Sequence, residues 1–119
     1  MSFDLAFWIQ KSVPTLEESA WAYDQLTDGL TGVVEEDPAV EDFRASVISA
    51  FPDLTEETMD ESPWASPLYG NRECVIAAIS WSRSTEVSSV LLDLASRHGL
   101  TAYDPQDQVV YGIEGERSR

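Results

Sequence analysis

The chain has 119 residues, with 22 Asp and Glu against 7 Lys and Arg, one His and one Cys, and so carries a formal charge of −15 at neutral pH. Its length fits one domain, and a hydrophobic content of 43% with 4 Trp, 4 Tyr and 4 Phe suffices for a packed core. A charge well beyond the magnitude of about 2 to 8 usual for a small soluble domain repels phosphates and argues against nucleic-acid binding, while a lone Cys74 excludes an internal disulfide and a structural zinc site.

Phe3, Leu5, Phe7 and Ile9 alternate with Asp4, Ala6 and Trp8, the period of a strand. Asp4 within this stretch, and the lack of a base before Lys11, do not read as a signal peptide, so a cytoplasmic setting is expected. Thr15 followed by Glu18 forms a capping box ahead of Leu16, Ala20, Tyr23, Leu26 and Leu30 at helical spacing, with Gly29 or Gly32 to end the helix. Asp37-Pro38 starts a second helix, whose buried stripe is Val40, Phe43, Val47 and Phe51 and whose stop is Pro52.

Asp53 to Pro67 reads as an acidic, Pro-bracketed loop around Trp64. Gly70-Asn71 between two apolar segments predicts a two-residue hairpin, pairing a short edge strand with a central one that runs from Cys74 towards Trp81. The apolar run Cys74 to Ile79 falls far short of the roughly 20 residues of a membrane span, so no membrane partner is expected. Ser82 or Ser84 caps a third helix with Val87, Val90, Leu91, Leu94 and His98 on one side, Arg97 near its negative end and Gly99 closing it. Leu100 to Tyr103 and Val109 to Tyr111 are short strands around the turn Asp104-Pro105-Gln106-Asp107.

This order predicts a single α+β domain over residues 1–113 with a frayed tail at 114–119. Right-handed crossovers place the helices on one face of an antiparallel-containing sheet, as in a ferredoxin-like sandwich.

The charge is one-sided along the chain. Up to Glu61 there are 15 acids and 2 bases; beyond it, 7 acids and 5 bases. Glu35, Glu36, Asp37, Glu41 and Asp42 crowd the second helix start, where its dipole stabilises acids by roughly 0.3 to 1 kcal/mol each. The band is either a solvated face that keeps the chain soluble or a docking surface for a basic protein partner. On the second reading Glu35, Glu36, Glu41, Asp42, Asp60, Glu61 and Trp64 form the contact surface. Trp64 otherwise packs over the sheet edge, and Trp21 projects opposite the Leu16/Tyr23 stripe of its helix.

Catalytic signatures are sparse. Single His98, one turn after Leu94, reads as a packed helix histidine, and Cys74 as a core thiol. No Gly-x-Ser-x-Gly elbow, calcium-loop ladder or phosphate-cradling glycine loop is present, so neither a metal site nor a cofactor is expected. A small enzyme using carboxylates and His98 is the alternative to the interaction module, and a homodimer formed through the sheet edge is a third reading.

Met1-Ser2-Phe3-Asp4-Leu5, Asp37-Pro38, Phe51-Pro52, Asp60-Glu61-Ser62, Ala78-Ile79-Ser80-Trp81-Ser82 and Leu94-Ala95-Ser96-Arg97-His98-Gly99 together resemble a family of small bacterial proteins. Its members open with Met-Ser-Phe/Tyr-Asp-Leu and close with a Trp-Ser helix and a Leu-Ala-x-x-His-Gly turn. Some lie near contact-dependent or secreted toxin genes, so the resemblance implies an immunity-type inhibitor of a basic toxin. It supplies no catalytic residues, and the Pro-rich loop around Trp64 departs from its pattern.

Overall fold

The computed structural model describes residues 2–9, 15–30, 32–52, 62–111 and 117–118. In chain order these form β1 (Ser2–Trp8), α1 (Leu16–Thr27), α2 (Pro38–Ala50), β2 (Tyr69–Gly70), β3 (Cys74–Ser80), α3 (Ser84–His98), β4 (Thr101–Asp104), β5 (Val109–Tyr111) and β6 (Arg117–Ser118). The sheet order is β2-β3-β1-β4-β5-β6, and every adjacent pair is antiparallel. This is the expected mixed α+β sandwich, with a fully antiparallel sheet.

The alternation along β1 decides the layers. Leu5 and Phe7 point to one side, where α2 and α3 pack through Val40, Phe43, Val47, Val87, Leu91 and Ala95, with Phe7 and Phe43 ring centres 4.7 Å apart. Ala6 and Trp8 point to the other side, against Ala22 and Leu26 of α1, Cys74 and Tyr103. The expectation of all helices on one face therefore holds for α2 and α3 but not for α1. A central strand with apolar residues at odd and even positions needs cover on both faces, and α1 supplies the second.

Local signals explain most boundaries. Thr15 Oγ accepts from the Glu18 amide at 3.1 Å while Glu18 accepts from the Thr15 amide at 2.8 Å, so both halves of the capping box are made. Asp37 accepts from the Ala39 amide at 2.8 Å, with Pro38 at the first helical position. Gly99 closes α3 at φ 75°. No serine caps α3: Arg83 holds that place without a side-chain bond, because a short 3₁₀ turn at Trp81–Arg83 leads into the helix. That turn also takes Trp81 off the β3 face.

The hairpin departs from expectation. Asn71 and Cys74 are its closing pair, with the Asn71 amide donating to the Cys74 carbonyl at 3.0 Å, so the turn is Arg72-Glu73 and not Gly70-Asn71. Asn71 Oδ1 accepts from the amides of Glu73 and Cys74 at 2.7 and 2.9 Å, which stabilises this placement.

Pro105 stands opposite Asp4, where β1 and β4 would continue to pair, and it has no N–H to give. The Gln106 carboxamide takes over. Its Oε1 accepts from the Asp4 amide at 2.6 Å and its Nε2 donates to the Asp4 carbonyl at 2.8 Å. Of the tail expected to fray, Arg117–Ser118 pair with Tyr111 and Val110 as β6; the rest of 114–119 lies outside the described residues.

Candidate functional site: an acidic band with two hollows

Between Lys11 and Arg44 the sequence holds nine acids and no base. This segment runs from α1 on one face of the sheet to α2 on the other. Its crossing, residues 32–37, is pinned to the β2–β3 hairpin: the Asp37 amide donates to the Arg72 carbonyl at 3.4 Å, and Ile9 bridges to Glu35.

The strongest pin is Glu73. Its side chain is buried, and its carboxylate accepts from the amides of Gly32, Val33 and Val34 at 3.0 to 3.4 Å. Gly32 sits at φ 78°, so three successive N–H groups converge on one anion. A carboxylate in the hairpin turn thereby fixes the path of the acidic crossing. Sequence reading missed Glu73, since one acid among 22 gives no sign of pointing inwards.

The pinned crossing shapes two neighbouring hollows. One, of about 410 Å³, is lined by Glu17, Glu18, Trp21 and Ala22 of α1 with Val33 and Val34. Trp21 is 58% exposed there, as its position off the helix stripe implies. The other, of about 350 Å³, is lined by Glu36, Asp37, Pro38, Glu41 and Arg72. Both therefore combine apolar surface with carboxylates.

The residues expected to meet a partner divide. Glu35 and Glu36 in the crossing and Glu41 and Asp42 in α2 are all exposed, and Glu36 and Glu41 line one hollow. Asp60 and Glu61 lie outside the described residues. Trp64 is not a surface anchor: it is 2% exposed, its Nε1 donates to the carbonyls of Phe51 and Pro52 at 3.2 and 3.1 Å, and its ring meets Phe51 edge-on. A large ring between two prolines caps the open end of the α2–β3 core, and its one polar atom is satisfied by the carbonyls that end α2. Trp21 holds the exposed place that the sequence offered to either indole.

The acids elsewhere are differently served. On α3, Glu86 pairs with Arg83 of the preceding turn and Asp93 pairs with Arg97 at 2.9 Å, both pairs exposed and local in sequence. On α1, Glu17, Glu18 and Asp24 have no base in their own helix. The Thr15 amide and hydroxyl hold the Glu18 carboxyl below its usual range. Tyr23 and Tyr103, 5.5 Å apart beneath α1, are both raised: burial is the main cause, followed by Asp4 for Tyr23 and Asp24 for Tyr103. The negative field reaches into the sheet from the α1 side.

His98 and Cys74 both take packed positions. The His98 ring lies edge-on to Phe43, with Nε2 3.2 Å from Ser46 Oγ. Cys74 is buried, and burial, then the adjacent Glu73, pushes its thiol up to about 11. Among the described residues no group of three His, Cys, Asp or Glu could hold a metal ion, and no helix is long and apolar enough to cross a membrane. Compared with protein-family models, curated proteins and solved structures, the chain matches none.

Proposed function

We propose that the chain is an acidic protein-interaction module that holds a basic partner against the band formed by α1, the crossing 32–37 and the start of α2. One observation carries this reading: nine acids without an intervening base are fixed on a continuous path, whereas the two acids of α3 pair with arginines three or four residues away. Clustered like charge raises encounter rates with an opposite surface and sets its register. Trp21 supplies the aromatic contact that charge alone lacks. An immunity-type inhibitor, whose carboxylates stand in for phosphates at a cationic active site, is the narrower form of the proposal and agrees with the family resemblance.

His98 lies edge-on to Phe43 with Nε2 beside Ser46 Oγ, which supports a packing role over the enzyme reading. The outermost strands, β2 and β6, span two residues each and offer little ladder to a second copy.

The test is capture from host extract by three immobilised forms. The native chain is expected to retain one basic protein, less strongly as salt rises. The variant E36Q/E41Q/D42N should lose it, while E86Q/D93N/D107N, which removes the same number of charges away from the band, should keep most of it. Equal losses from both variants would show a general charge effect and overturn the assignment.

A further inference from the structure

Two arginines interrupt the acidic surface at one place. Arg44 of α2 and Arg72 of the hairpin turn line the same hollow of about 540 Å³, together with Glu41, Gly70 and Asn71. It adjoins the hollow at the start of α2, with which it shares Glu41 and Arg72.

The Arg44 stem lies flat over Gly70. A Cβ at residue 70 would come within 2.8 Å of Arg44 Cδ and 2.9 Å of its Nε, so the absence of a side chain there makes room for the guanidinium. Arg44 Nε is enclosed and donates to no acceptor among the described residues. A buried donor without a partner is costly and marks a place where an acceptor is wanted.

Neither Arg44 nor Arg72 is ion-paired with a described residue, although Arg83 and Arg97 each are. Two acceptors nearest Arg72 are already engaged. Glu73, next to Arg72, is turned inwards onto the amides of 32–34, and Asn71 Oδ1 is taken by the turn.

We propose that this groove is a carboxylate slot within the acidic surface, and that the basic partner inserts an Asp or Glu side chain between Arg44 and Arg72 while its flanking Lys or Arg residues meet Glu36 and Glu41. This rests on the interaction-module reading and adds the partner's identity code to it. Guanidinium groups present forked donors that suit a carboxylate, held by two parallel bonds. A dianionic phosphate fits less well, because Glu41 lines the groove, Glu36 and Asp37 line the hollow beside it, and together they repel a second negative charge. An acid set among bases satisfies both parts of the groove. It also discriminates: a uniformly basic surface leaves the Arg44 donor unsatisfied and sets cations against cations.

The test titrates the full chain with two lysine-flanked peptides of equal length, one with a central Glu and one with Gln in its place, followed by NMR of the arginine Nε–H signals. The Glu peptide has the smaller positive charge, yet it should bind at least fivefold more tightly and move the Arg44 and Arg72 signals. Arg72→Gln, on an exposed turn where folding is not at stake, should abolish that preference without weakening the Gln peptide. A Glu peptide that binds equally or less well, as net charge alone requires, overturns the slot and leaves the acidic-band reading standing. If neither peptide binds, the band reading fails and the slot fails with it.

Discussion

Glu73 shows how much one carboxylate decides. It is an acid in a chain already far too negative, yet it is buried and spends its charge on three backbone amides rather than on Arg72. Glu73→Gln keeps the size but removes the charge and sets an NH2 donor where Oε2 accepts from the Gly32 amide. The expected loss is about 1 to 3 kcal/mol in urea unfolding, with faster amide exchange at Gly32 to Val34 as the local sign; unchanged exchange there would refute the pinning role. Cys74 gives a second residue-level expectation. Its thiol is raised to about 11 from an ordinary 9.0, chiefly by burial, so the native fold favours the protonated form. That contribution is complete below pH 9.0 and is lost as pH climbs through about 11. Iodoacetamide at neutral pH should leave the native chain unmodified and label it only on unfolding; rapid labelling of the native chain would contradict the buried placement.

Among the elements, both capped helices were legible in the sequence because caps are local: Thr15 with Glu18, and Asp37 with Pro38, need only their own helix to work. Asp37→Ala should therefore cost about 1 kcal/mol in thermal or urea unfolding, and a loss below a few tenths would show that the crossing, rather than the cap, holds the start of α2. β1 was legible from its alternation, and β4 and β5 from the turn between them, whereas β6 was not. What escaped was everything set by tertiary partners. Which face α1 covers depends on Ala6 and Trp8 being as buried as Leu5 and Phe7, and a fully covered strand reads alike from both sides. The hairpin turn moved to Arg72-Glu73 because the Asn71 side chain bonds forward to two amides. The Gln106 graft onto Asp4 joins positions 102 residues apart and had no local trace. Gln106→Ala should loosen the edge of β4 by about 1 kcal/mol, seen as faster exchange of the Asp4 amide; unaltered exchange would remove the graft from the account.

The candidate site was half visible for the same reason. Glu35, Glu36, Glu41 and Asp42 could be named from composition, since a run of acids at a helix start is nearly always exposed. Trp21 and Trp64 could not be ranked by sequence alone: one lies off its helix stripe, the other sits where only the three-dimensional path of Phe51 and Pro52 reveals two waiting carbonyls. Arg44 and Arg72 are 28 residues apart in sequence, and Gly70 joins them only through space.

For the molecule as a whole, the charge is not one uniform coat. The two acids of α3 pair with arginines three or four residues away, while α1 holds acids and no base, and the path from α1 to α2 carries both an exposed indole and an arginine-lined groove. Long-range attraction of a basic surface follows from the net charge of −15, but its point of docking follows from the band. The most direct measurement is the affinity of a fixed lysine-rich peptide for the native chain and for the two charge-matched variants, E36Q/E41Q/D42N and E86Q/D93N/D107N, at two salt concentrations. The account predicts at least a tenfold loss for the first variant and less than a threefold loss for the second at low salt. Equal losses would contradict it, because they would mean that net charge alone, and no particular surface, attracts the peptide.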